Sequence, residues 1–122
     1  MNQKTEKFTA YLDAAIARCA EQEKKLIADD RKDEAVFEKI RANVYNIFRS
    51  VLGVAVENCG EDTAKIRDFF LKRIDHIPAS WKASYEAAKQ HDDTAKVQIE
   101  EIKLAVVQEI KAQFTKIWEE IS

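Results

Sequence analysis

Residues 33–58, DEAVFEKIRANVYNIFRSVLGVAVEN, decide the fold because their apolar side chains recur every three or four residues. That spacing marks one face of an α-helix, which turns once about every 3.6 residues. On a helical wheel, the apolar residues occupy a sector of roughly 120° and polar side chains lie opposite. The stretch therefore predicts a long core helix. Its apolar residues are Val36, Phe37, Ile40, Val44, Ile47, Phe48, Val51, Val54 and Ala55.

The apolar sector widens toward the end of this stretch, where Tyr45, Leu52 and Val56 add to it. A helix that is apolar around much of its circumference needs neighbours on several sides. Two arrangements satisfy this pattern. Other helices of the same chain surround that end, or a second subunit covers it.

The C-terminal stretch, from about residue 94 to residue 121, has the second strong period. Its apolar positions follow an eleven-residue rhythm, which predicts straight or slightly right-handed packing and argues against a left-handed coiled coil. Val107, Phe114 and Trp118 extend its apolar face sideways, so this helix also needs two neighbours. Residues from about 3 to 28 predict a third long helix by the same criterion.

Between the long helices lie residues that end one helix and begin the next. Gly60 suits the left-handed conformation that ends a helix, and Asp62 or Thr63 suits the cap of the following one. Pro78 ends that third helix, because the residue before a proline is driven out of the helical conformation. Ser80 is then expected to cap a fourth helix.

The segment His91-Asp92-Asp93 leaves the continuity of the following chain open. It offers side chains that can cap a new helix at Thr94, yet it contains neither glycine nor proline. Residues 80–121 therefore form either two helices or one helix about 63 Å long.

Gly53 lies inside the predicted core helix, on its polar side. A glycine at such a position costs about 1 kcal/mol relative to alanine. We therefore expect either a close approach of another backbone at Gly53 or a bend of the helix there.

The composition agrees with a chain made almost wholly of helices. Only two glycines and one proline occur among 122 residues, and 34% of the residues are charged. An all-β or α/β fold needs more turn-forming residues than this. We therefore predict an all-α, up-and-down bundle of four to five helices, three long and two short, that forms a single domain over residues 1–122.

Charge and hydropathy limit the partners that the chain is expected to have. The formal net charge is −2 and the isoelectric point is near 5.8, whereas nucleic-acid-binding domains are usually basic. The joined third and fourth helices resemble a helix-turn-helix only in outline, so no nucleic-acid partner is predicted. The longest uncharged run, residues 50–56, is too short to span a membrane, and the N-terminus lacks a signal-type apolar segment. A cytoplasmic location without membrane contact is expected.

The residue types that bundles use for chemistry are absent at the required spacings. A carboxylate-bridged di-iron site needs Glu-x-x-His pairs, but Arg73 precedes His76 by three residues and Ala88 precedes His91 by three. The acidic residues around these histidines are typical of helix ends, where they interact with the helix dipole, although a metal shared across a dimer is the alternative. We therefore predict no cofactor, no metal and no enzymatic activity.

The apolar excess instead indicates a protein that acts through protein–protein contacts, first of all with a second copy of itself as a homodimer. The alternative is a bundle that binds a small ligand or a metal in a pocket near Trp81, Tyr85 and His91. The predicted interface consists of the residues that exceed the need of a simple bundle face, namely Tyr45, Leu52, Val56, Val107, Phe114 and Trp118.

Overall fold

The computed structural model describes residues 2–120, and about nine-tenths of the chain is helical, with no strand in the described part. This confirms the all-α bundle of three long and two short helices. Each long helix lies within about one residue of its predicted bounds, except that Ile121, the end of the predicted last helix, lies outside the described residues. The helices are α1 Gln3–Ala28, α2 Lys32–Cys59, α3 Thr63–His76, α4 Ala79–Gln90 and α5 Thr94–Glu120.

Contacts between chain ends fix the direction of each helix. The Trp118 Nε1–H donates to the carbonyl of Thr63 at 3.0 Å, and the Lys4 ammonium donates to the carbonyl of Trp118. The start of α1, the start of α3 and the end of α5 therefore lie together, at what we call the upper end. It follows that α1 descends and α2 ascends. Helices α3 and α4 then descend one after the other and together form the third helical segment of the bundle, and α5 ascends. The result is a four-helix up-and-down bundle.

The densest part of the core is an aromatic cluster in the upper half. The Phe70 ring stacks on Phe114 with centroids 4.3 Å apart and meets the edge of Phe8 at 5.2 Å. Phe114 stacks in turn on Trp118 at 4.2 Å. Because α1, α3 and α5 each contribute a ring, the cluster packs these three helices against one another.

The lower half of the bundle has few buried side chains. Ala35 is the one buried residue between positions 20 and 43, and Ala88 and Glu100 are the two between positions 79 and 105. Helix α4 packs mainly against α5, while α2 packs mainly against α1. The lower end therefore consists of two helical hairpins with little core between them.

The capping residues of the two short helices agree with the sequence predictions for α3 but not for α4. Asp62 caps α3 as predicted, since its carboxylate accepts from the Lys65 N–H at 3.1 Å. The prediction that Ser80 caps α4 is wrong: the cap position is held by Pro78, two residues earlier and without a side-chain cap, and α4 begins at Ala79. Pro78 can stand there because its fixed φ suits the start of a helix and it has no N–H to satisfy.

The continuity left open at residues 91–93 is resolved in favour of two helices. Asp92 adopts a positive φ of 54°, which takes the chain out of α4. The Asp93 carboxylate then accepts from the Lys96 N–H at 3.1 Å and caps α5. An aspartate can take the left-handed conformation that a glycine usually supplies.

The two glycines are expected to respond oppositely to alanine. A Cβ at Gly53 meets no atom within 4 Å, so no close approach explains this glycine, and Gly53→Ala should raise the free energy of unfolding by roughly 0.5 to 1 kcal/mol. Gly60 has a φ of +58°, so Gly60→Ala should lower it by about 1 kcal/mol or more. Urea denaturation of both variants checks the pair, and a loss of stability in Gly53→Ala would contradict it.

Candidate interaction surface

One line of apolar side chains on α2 faces solvent. Val36, Ile47 and Val54 are 50%, 37% and 45% exposed, and the half-buried Ile40 and Val51 lie between them. We call these five residues the α2 stripe. Their spacings of four, seven, four and three residues place them within about 60° of one another around the helix. The stripe is therefore a line of apolar side chains about 27 Å long from Val36 to Val54.

The α2 stripe is exposed because a neighbouring part of the apolar sector, and not the stripe, faces the core. Val44 and Phe48 face the core and are 1% and 0% exposed. On the other side of α2, Arg49 reaches Asp13 of α1 at 2.8 Å. Helix α1 thus covers one side of α2, and α3 and α5 cover the core side. The stripe remains on the side away from α1.

Of the six residues predicted as an intersubunit interface, five are buried inside this chain. Tyr45, Leu52 and Phe114 are 1% to 3% exposed, so a second copy cannot reach them. Other helices of the same chain cover the widened sector of α2, which is the first of the two arrangements that the sequence allowed. The choice of interface residues is corrected accordingly: Val107 and Trp118 are also buried, and Val56 is half-buried against the core.

Charged residues beside the α2 stripe are distributed unevenly along the helix. Lys32 and Lys39 lie toward its beginning, and Glu57 lies near its end. Lys39 is 3.9 Å from Glu23. Lys32 and Glu57 are exposed and form no ion pair within residues 2–120. The exposed Asp33 lies on the opposite flank at the beginning of the stripe. It is therefore the flank with Lys32, Lys39 and Glu57 that is positive toward the beginning and negative toward the end.

The predicted ligand pocket is not assembled by the fold. Trp81 lies under the Lys103 ammonium, 4.6 Å from its ring centre, and Tyr85 donates to Glu101 across a long 3.4 Å contact. His91 is exposed at the end of α4, about 15 Å along the helix from Trp81. Trp81 and Tyr85 contact side chains of α5, and the three residues do not converge on one cavity. The cleft next to them is lined by Lys89, Asp92, Thr94, Val97, Gln98 and Glu101.

A cleft of about 370 Å³ lies elsewhere, between α2 and α5. At its upper edge, the hydroxyls of Tyr11 and Tyr45 both donate to one oxygen of the Glu109 carboxylate, the second at 2.5 Å. Burial raises the pKa of both phenols, and the hydrogen bonds to Glu109 raise it further. Both tyrosines therefore stay protonated and link α1, α2 and α5. The lining comprises Arg41, Tyr45, Glu101, Ile102, Ala105, Val106 and Glu109.

Few side chains are arranged for chemistry. In the part of the chain that the structure describes, no three His, Cys, Asp or Glu side chains are grouped to hold a metal ion. Cys19 is buried, and burial raises the pKa of its thiol, which makes it a poor nucleophile.

Over the same described residues, none of the helices has the length and apolar character needed to cross a membrane.

Comparison of the chain with protein-family models, with curated proteins and with solved structures found no match.

Proposed function

We propose that this chain is a non-enzymatic cytoplasmic protein that acts through protein–protein contacts, and that its α2 stripe binds a second copy of the chain. The observation that carries the proposal is the line of exposed apolar residues on α2, where Val36, Ile47 and Val54 are 37% to 50% exposed. Exposed apolar side chains that align on one helix favour burial against a partner more than scattered ones do.

A second copy suits this surface because an apolar stripe on a helix is complementary to itself. A two-fold axis beside α2 buries the stripe of one copy against the stripe of the other, so that each apolar residue gains an apolar neighbour. A single pair of helices covers less than the roughly 800 Å² per partner of a standard interface. The expected dimer is therefore weak and concentration-dependent.

Replacing Ile47 with aspartate should weaken this self-association at least about tenfold, because each dimer would bury two carboxylates against apolar side chains. Sedimentation velocity over a concentration series measures the effect. The matched control is Ile27→Asp, since Ile27 is 47% exposed but lies on α1, outside the stripe. A wild-type protein that stays monomeric at every concentration would refute the proposal.

A second candidate function, small-ligand binding, is favoured by the cleft between α2 and α5 rather than by the region of Trp81, Tyr85 and His91. Its wall joins apolar side chains to the Tyr45 hydroxyl and the Glu109 carboxylate. Native mass spectrometry of protein purified without chelator separates the two functions. A dimer without added mass supports self-association, whereas a monomer with a bound organic mass supports the cleft.

A further inference from the structure

We infer that the two copies meet through antiparallel α2 helices, in a register that places Lys32 of each copy beside Glu57 of the other. This inference rests on the proposed self-association and adds its geometry. It follows from the positions of the stripe residues, from the charges that border them and from the helix dipole.

The stripe itself sets the register. In an antiparallel pair related by a two-fold axis, the residues that face each other have numbers that add up to twice the number at the axis. Val36 and Val54 are equally far from residue 45, and Ile40 and Val51 are nearly so. An axis at that level therefore brings Val36 of one copy onto Val54 of the other. Ile47 then lies about 3 Å along the helix from the axis.

The charges decide the direction. Lys32 and Glu57 lie on the same flank of the stripe, and a two-fold axis of this kind keeps each flank on its own side. Lys32 of one copy thus comes within about one residue of the level of Glu57 of the other, and symmetry makes two such pairs. In a parallel two-fold pair the flanks are exchanged, so Lys32 would lie beside Asp33 of the other copy and Glu57 would have no cation opposite it. The antiparallel pair is favoured because it supplies a cation to each Glu57 carboxylate.

The local structure leaves these two side chains available. Both are exposed, and within the described range neither has an ion-pair partner in its own chain. The opposed dipoles of two antiparallel helices add to the same preference. The pairs lie at the rim of the interface and in water. The dimer should therefore weaken as the ionic strength rises above about 0.1 M, where the Debye length falls below about 10 Å.

Charge reversal tests the register. Lys32→Glu and Glu57→Lys should each weaken dimerisation roughly tenfold at low salt, because each turns two attractive pairs into two repulsive ones. The double variant Lys32→Glu/Glu57→Lys restores both pairs in reverse and should return the dissociation constant to within about threefold of wild type. Lys116→Glu is the control, since Lys116 is exposed on α5, which packs on a different face of α2.

An equimolar mixture of the two single variants should associate more tightly than either variant alone, because the mixed dimer regains both attractive pairs. Sedimentation equilibrium measures each dissociation constant, and circular dichroism shows whether each variant folds. If Ile47→Asp abolishes association but the double variant is no tighter than the singles, the register is wrong and self-association stands. If the wild type is monomeric throughout, the proposed function fails as well.

Discussion

Phe70→Ala is expected to lower the free energy of unfolding by about 3 to 5 kcal/mol, the largest effect predicted for a single substitution in this chain. The side chain is fully buried, and its ring contacts Phe114 at 4.3 Å, Phe8 at 5.2 Å and Phe48 at 6.1 Å between centroids. Removing it leaves a cavity where rings from three other helices meet. Urea denaturation followed by circular dichroism measures the loss.

The matched control is the preceding residue. Phe69 is only half-buried, and its ring lies beneath the Arg73 guanidinium at 4.7 Å, near solvent. Phe69→Ala should therefore cost less than about 1.5 kcal/mol. Equal losses at the two positions would mean that α3 does not present Phe70 to the core.

Tyr45→Phe should be less stable than wild type near neutral pH and more stable than wild type in strong alkali. At about pH 8 the variant loses the hydrogen bond to Glu109, worth about 1 kcal/mol. The pKa of Tyr45 is raised in the folded protein, whereas an unfolded tyrosine ionises near about 10. The stability that the protonated phenol contributes is thus complete below about pH 10 and is lost as pH rises toward the folded pKa.

The size of this alkaline effect follows from linkage. Above about pH 10, wild type loses up to about 1.4 kcal/mol per pH unit through Tyr45, and the variant does not. The order of stability should therefore reverse between about pH 8 and about pH 11.5, which urea denaturation at both pH values tests. Glu109→Gln keeps an acceptor but removes the charge, so it should lose stability in alkali less steeply than wild type does. Parallel pH profiles for wild type and Tyr45→Phe would contradict the hydrogen-bonded arrangement.

The sequence predicted the helices well because helical period and end signals are local. The apolar repeat of residues 33–58 located α2, and the capping carboxylate of Asp62 located the start of α3. The break before α5 could not be decided, since the turn depends on a left-handed Asp92 rather than on a glycine. The predicted cap at Ser80 lies two residues after the observed one, because Pro78 itself occupies the cap position of α4.

The candidate surface was much harder to predict, because a helical wheel shows which residues are apolar but not which neighbour covers each part of the face. Tyr45 and Leu52 lay at the edge of the predicted sector and are buried, whereas Val36 and Ile47 lay within it and are exposed. The link between Tyr11, Tyr45 and Glu109 has no local signal at all. Tyr11 and Tyr45 are 98 and 64 positions away from Glu109 in the chain.

The sparse packing of the lower end should make α4 open more easily than the rest of the bundle. Opening the lower part of α4 exposes little apolar surface, because Ala88 is its one buried side chain. Opening the upper half means separating the ring cluster around Phe70 and Phe114. We therefore expect the amide protons of α4 to exchange with solvent through local opening, whereas those of the upper half should exchange only on global unfolding. The break at Pro78 should therefore allow α4 to open while α3 stays packed in the ring cluster.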